Sequence, residues 1–220
     1  MIAYDLIGQT PLVLLESFSD ENVKIYAKLE QFNPGGSIKD RLGKYLIEKA
    51  IDEGRLKEGD TIVEATAGNT GIGLAIASNR HKVKCIIFAP EGFAEEKISI
   101  MKALGADVRR TPKAEGMTGA QQEALAYATR YGYLYMNQFE TKDNPGAYTQ
   151  TLAKQLTDEL SHIDYFVAGV GSGGTFTGVA QHLKTYDVKN YIVEPEGSVL
   201  NGGVSHPHAT RSEEHRLNSS

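Results

Sequence analysis

A single cysteine, Cys85, in 220 residues means that no disulfide can form within the chain. It lies in Val83-Lys84-Cys85-Ile86-Ile87-Phe88, a buried-strand pattern, and reads as packing rather than as a reactive thiol. Positive charge is also in short supply. Lys and Arg number 23 against 28 Asp and Glu, the formal net charge is −5, and the basic residues are scattered. That argues against nucleic acid as a main partner. No apolar run reaches the length of a transmembrane helix, so no membrane role is expected. Met1 to Gly8 lack the charged and apolar regions of a signal peptide. With the lone cysteine, this leads us to expect a cytoplasmic location. The six histidines form no metal-ligand pattern: His206 and His208 flank Pro207 with no carboxylate or cysteine at ligand spacing, and read as a polar loop.

The chain does have enough apolar residues, 40%, for a sizeable core. Its length suits one large domain or two small ones. Strand-like apolar runs alternate with helical periods almost throughout. Val23 to Leu29, Thr61 to Glu64, the Cys85 run, Asp107 to Arg109, Tyr133 to Tyr135, Tyr165 to Ala168 and Asn190 to Val193 read as strands. Helices follow most of them, and Pro145 is placed to open one that runs to about Leu160. This alternation predicts an α/β fold with mainly parallel sheets covered by helices. A boundary is expected near Gln138 to Pro145, where polar and turn residues cluster.

In such sheets, ligands bind beyond the carboxyl ends of the strands, on loops that lead into helices. Three Gly-rich stretches occupy such loops. The first is Asn33-Pro34-Gly35-Gly36-Ser37-Ile38-Lys39-Asp40-Arg41. Ser37 is suited to cap the helix that follows, Asp40 to sit at its positive end, and Lys39 falls in the first turn. A desolvated lysine near positive dipoles loses its proton more easily and becomes a nucleophile. A lone first-turn lysine is more commonly a solvated surface residue, so the other loops carry the weight. The second, Glu64-Ala65-Thr66-Ala67-Gly68-Asn69-Thr70-Gly71, frees backbone amides at a helix start and suits a carboxylate. The third is Gly169-Val170-Gly171-Ser172-Gly173-Gly174-Thr175-Phe176-Thr177-Gly178. Its amides and its Ser172, Thr175 and Thr177 hydroxyls could cradle a phosphate. Gly169, Gly171 and Gly174 also fit a dinucleotide fingerprint, with Glu194 at the end of the next strand. That alternative, a nicotinamide-dependent dehydrogenase, leaves Lys39 and two loops without a role. A non-catalytic ligand-binding protein is the other alternative.

Taken jointly, the three loops resemble the cysteine synthase and cystathionine β-synthase family of fold-type II pyridoxal-phosphate enzymes. Order and separations agree from about Gly8 to about Ala209. The resemblance implies pyridoxal 5'-phosphate held by Lys39 as a Schiff base, with Lys39 also the base for the substrate α-proton. It implies that Asn69 bonds the cofactor's ring hydroxyl. The substrate carboxylate falls to Thr66, Ala67, Gly68, Asn69, Thr70 and Gln138, and the cofactor phosphate to Gly171, Ser172, Gly173, Gly174 and Thr175. No metal is implied. The reaction is β-replacement on an activated serine, O-acetylserine, by sulfide to give L-cysteine, with homocysteine as the alternative nucleophile. Ala65 and Ala67 replace the family's usual Pro and Ser. With Phe176, they look like bacterial members that also make cystathionine.

The resemblance further implies a homodimer and two domains. Residues 1–35 and 141–210 would form the larger, cofactor-phosphate domain. Residues 36–140 would form a smaller mobile domain that carries the carboxylate loop. The likeness stops near His208. Residues 211–220 show no apolar period, resemble a translated sequencing-library adapter, and read as a non-native tail. The chain is therefore expected to be C-terminally truncated and to have little activity as written.

Overall fold

The computed structural model describes residues 2–93 and 95–194. His206, His208 and the expected 211–220 tail lie outside the described residues. The chain divides into two compact units, Met1–Gln138 and Phe139–Ser220.

The first unit opens with a short antiparallel pair. Strand β1 (Leu12–Leu14) lies against β2 (Tyr26–Lys28), with Leu12 opposite Lys28. The strand expected over Val23 to Leu29 is thus only three residues long, and β1 was not foreseen. Three residues show at most one turn of the in-out alternation, too little to read from a sequence. Helix α1 (Lys39–Asp52) follows and buries Leu42, Leu46, Ile47 and Ala50 on one stripe. Its first turn is capped from outside: the Ser37 hydroxyl accepts the Lys39 N–H at 3.1 Å.

Four parallel strands form the main sheet, in the order β5-β4-β3-β6. They are β3 (Thr61–Ala65), β4 (Lys84–Pro90), β5 (Asp107–Thr111) and β6 (Leu134–Tyr135). Helices α2 (Asn69–Arg80), α3 (Glu95–Ala103) and α4 (Gly116–Tyr131) connect them. Every residue of β3 is buried, as a parallel strand covered on both faces requires. On one face, Val63, Ala65, Ile86 and Phe88 pack against Ala120, Ala124 and Ala128 of α4. Alternation along the strands turns Ile62, Glu64, Cys85 and Ile87 to the opposite face. There the Cys85 thiol meets Ser78 of α2, and burial pushes it up to about 12, so it is inert at neutral pH.

Helix α1 packs on α2 at backbone contact, which glycine alone permits. A Cβ on Gly43 would come within 2.3 Å of the Gly73 carbonyl carbon, and one on Gly73 within 2.4 Å of the Lys39 oxygen. The first turn of α1 therefore touches the second turn of α2 at Gly73.

The strand order decides where a ligand can enter. After β3 the chain moves towards β4 and β5. After β5 it returns through α4 to β6, on the other side of β3. The carboxyl ends of β3 and β6 thus mark the switch point of the sheet, where the ligand crevice of such folds lies.

The second unit holds α5 (Asp143–Tyr148), α6 (Lys154–Glu159), α7 (Gly174–Leu183) and the parallel pair β7 (Tyr165–Gly169) and β8 (Lys189–Val193). The helix expected from Pro145 begins two residues earlier and is interrupted by a π-helical turn at Thr149–Ala153. Pro145 is tolerated because a first-turn N–H has no helical partner to lose. Within the turn, the Thr151 hydroxyl donates to the Ala147 carbonyl, and the Thr149 hydroxyl reaches both Pro145 and Gly178 carbonyls. Such side-chain bonds compete with regular helix pairing. Tyr165, Val167, Tyr191 and Val193 share one face of the β7–β8 pair, and each is more than half exposed.

A buried polar network fixes the segment before α1. The Arg41 guanidinium grips both oxygens of Glu30, at 2.7 and 2.8 Å. It also donates to the Gly8 carbonyl at 3.0 Å and the Thr10 hydroxyl at 3.1 Å. Thr10 in turn donates to Glu30 at 2.6 Å, and Asn33 bonds both Glu30 and the Gly8 N–H. Thr10→Val keeps the shape but leaves the buried Arg41 and the half-buried Glu30 each one bond short. We expect it to lower the unfolding free energy by about 1–2 kcal/mol, read by urea titration.

Candidate active site

Lys39 occupies the first turn of α1, half-buried among buried Ser37, Ile38, Asp40 and Arg41. The Asp40 carboxylate accepts the Gly35 N–H, and a Cβ on Gly35 would collide with that carboxylate. The loop is thereby folded back on its helix, which sets the direction in which Lys39 leaves the backbone.

The second loop runs from the end of β3 into α2. Thr66 closes it, its hydroxyl accepting the Gly68 N–H at 3.2 Å. Ala67 and Gly68 are half-buried, while Asn69 and Thr70 are buried in the first turn of α2. First-turn amides have no helical partner and point out along a positive dipole end, so this turn suits an anion. Gly71 is required for packing: a Cβ there would lie 2.3 Å from the Met101 sulfur. Gln138, on the loop after β6, reaches across the crevice. Its side-chain oxygen accepts the Thr70 hydroxyl at 2.6 Å. Two residues expected to share one ligand, 68 positions apart, are therefore bonded to each other.

Glu64 is the residue that sequence reading passed over. It ends β3 fully buried, one oxygen accepting the Ala65 N–H at 2.8 Å and the other the Gln138 N–H at 3.1 Å. Burial raises its pKa from the ordinary 4.5 to about 7, although those two amides and the Lys39 ammonium favour the charged form. A signal was present: Glu64 is the only charge in the strand Thr61-Ile62-Val63-Glu64-Ala65.

The third loop belongs to the second unit. Gly173 stands at the start of α7 with φ +81°, and neither Gly171 nor Gly173 has any atom within 4 Å of where a Cβ would be. The loop thus presents bare backbone at a helix N-terminus. Gly174 and Thr175 are buried, and a Cβ on Gly174 would strike the Asn144 side chain. Asn144 donates to the Ser172 hydroxyl at 3.1 Å and so orients it.

These residues fit pyridoxal phosphate group by group. Open amides and an oriented hydroxyl suit a phosphate, the buried Asn69 amide suits a ring hydroxyl, and the Lys39 amine suits an aldehyde carbon.

Comparison with known proteins decides among the readings. A family model described as pyridoxal-phosphate dependent enzyme matches residues 3–217. An O-acetylserine-dependent cystathionine β-synthase of Bacillus subtilis is 51% identical over 94% of this chain and 69% of its own length. A cysteine synthase of Helicobacter pylori is 48% identical, over 93% and 69%. Among solved structures, an O-acetylserine-dependent cystathionine β-synthase from Helicobacter pylori aligns with a TM-score of 0.89 at 46% identity, covering 95% of this chain and 72% of that one. By that match over residues 3–217 and by these relatives, this chain belongs to the pyridoxal-phosphate-dependent enzymes.

Proposed function

We propose that this enzyme catalyses β-replacement on O-acetylserine, with sulfide as nucleophile, to give L-cysteine and acetate. The Cβ–O bond breaks and a Cβ–S bond forms, so no oxidant or reductant is needed. The observation that carries this is the backbone contact of the Lys39 carbonyl with Gly73 of α2, which supports reading Lys39 together with the anion-suited start of that helix.

When bound, pyridoxal phosphate supplies the electron sink that lets an amino-acid α-proton leave. Gly171, Ser172, Gly173, Gly174 and Thr175 would hold its phosphate, Asn69 its ring hydroxyl and Lys39 its aldehyde carbon. Thr66, Ala67, Gly68, Asn69, Thr70 and Gln138 bind and orient the substrate carboxylate. Lys39 Nζ takes the α-proton and returns it at the end of the cycle. The assignment of residues 1–35 and 141–210 to a cofactor-phosphate domain and 36–140 to a mobile domain belongs to this reading. So do a homodimer and a cytoplasmic location. No helix among the described residues is long and apolar enough to cross a membrane.

A second nucleophile has specific support. The Bacillus subtilis relative is named for cystathionine synthesis, and Ala65, Ala67 and Phe176 follow the pattern of such members. Homocysteine in place of sulfide changes the product and not the chemistry at Lys39.

The test uses the full-length protein. Pyridoxal phosphate should produce a visible absorbance band that responds to O-acetylserine and is missing in Lys39→Ala. Sulfide and homocysteine in competition should yield mainly cysteine. Mainly cystathionine would establish the second reading. No band, with reduced nicotinamide bound instead, would overturn both.

A further inference from the structure

Glu64 has no part in the reaction as drawn, yet it is a fully buried carboxylate at the mouth of the crevice. Strand alternation turns it to the face of the sheet on which α2 lies. Its two oxygens accept from two different segments, Ala65 at the end of β3 and Gln138 on the loop after β6. Gln138 in turn engages Thr70, in the first turn of α2. One carboxylate therefore closes a circuit from β3 to the β6 loop to α2 and back to β3.

That circuit has a chemical consequence. The Thr70 hydroxyl donates to the Gln138 side-chain oxygen, which fixes how the Gln138 amide is turned. With the Gln138 main chain released, neither the side chain nor its pairing with Thr70 stays in register.

We propose that Glu64 is a positioning residue of this site: its carboxylate holds the Gln138 loop against the first turn of α2. The proposal rests on the reading of Gln138 and Thr70 as carboxylate-binding residues. The titratable groups that face Glu64 are Lys39 on α1 and Cys85 on β4. Cys85 stays neutral across the working range.

The sign of the pH effect follows. The folded state holds the Glu64 proton more tightly than the unfolded state does, with the pKa raised from 4.5 to about 7. Its contribution to stability is full below about pH 4.5 and is lost as pH rises through about 7. Glu64→Gln cannot titrate and lacks this slope. Glu64→Asp keeps the charge but is one methylene too short to reach both amides.

The experiment takes the full-length protein, Glu64→Gln and Glu64→Asp, with pyridoxal phosphate and O-acetylserine as the probes. Cofactor affinity, read from the absorbance band, should stay within about threefold of the parent in both variants, since no cofactor contact is removed. The O-acetylserine concentration that half-converts the band should rise about tenfold or more in both. Without cofactor, the parent's unfolding midpoint should fall relative to that of Glu64→Gln between pH 5 and pH 8. That difference reports only the titration of a buried carboxyl; the readout that a merely structural role would not move is the rise in half-conversion at unchanged cofactor affinity. A parent with no band refutes the proposed function, and this inference with it. A parent that responds normally, with both variants matching it in half-conversion, refutes the positioning role alone. Loss of a cooperative unfolding transition in both variants would make Glu64 a requirement of the fold and would also overturn the proposal.

Discussion

Replacing Lys39 with arginine should abolish turnover in the full-length protein while leaving it folded. The side chain is half-buried in the first turn of α1, and the positive charge is retained, so packing around it changes little. What changes is the chemistry. A guanidinium stays protonated at any working pH, so it can neither bond to an aldehyde carbon nor accept an α-proton. The rate of cysteine formation is expected to fall by at least about a thousandfold, the scale of losing a covalent and a proton-transfer role together. The absorbance band should vanish with it. Near-parental product formation by a homogeneous Lys39→Arg sample would show that the lysine is not the attachment point.

Gly173→Asp should separate cofactor binding from folding. Gly173 has φ +81°, where a side chain costs about 1–2 kcal/mol. Nothing lies within 4 Å of the new Cβ, so there is no steric clash to add. Without cofactor, a carboxylate at the start of α7 interacts favourably with the helix dipole and offsets part of the backbone strain. With cofactor, the same carboxylate meets a phosphate where bare amides should be. Affinity for pyridoxal phosphate is expected to fall about a hundredfold or more, because two anions a few ångströms apart repel strongly in a partly desolvated site. The cofactor-free unfolding free energy should change by only about 1 kcal/mol. Titration of both proteins beside their thermal unfolding distinguishes the two effects. Equal cofactor affinity would remove the third loop from the cofactor site.

The family match narrows the chemistry but leaves the choice of nucleophile to experiment. The Bacillus subtilis relative is named for one product and the Helicobacter pylori cysteine synthase for the other, at 51% and 48% identity. Ala65 and Ala67, in the loop read as binding the substrate carboxylate, are the positions to exchange in testing that choice.

Much of the candidate site could be proposed from the sequence, because its parts are local. A glycine turn, a capping hydroxyl and a helix start are all written within about ten residues. Asn33 to Arg41, Thr66 to Gly71 and Gly171 to Thr175 could therefore be read without knowing what surrounds them. Parallel strands were legible for a similar reason: buried on both faces, they appear as short apolar runs between helical periods, as in Lys84–Pro90. The three-residue strand β1 carried too little pattern, and the π-helical turn depends on a hydroxyl that reaches from Thr149 to Gly178.

What only the tertiary structure decided is how distant segments share one group. Glu64 meets Gln138 across 74 positions, Gln138 meets Thr70 across 68, and Arg41 gathers Gly8, Thr10 and Glu30. None of these pairings has a period or a spacing. The first two follow from the strand order β5-β4-β3-β6, which brings the end of β6 beside the end of β3. Local sequence sets which groups can cap, turn or bind. Burying a carboxylate is tolerable only where folding delivers amides from elsewhere in the chain to satisfy it, and that delivery is a property of the assembled sheet.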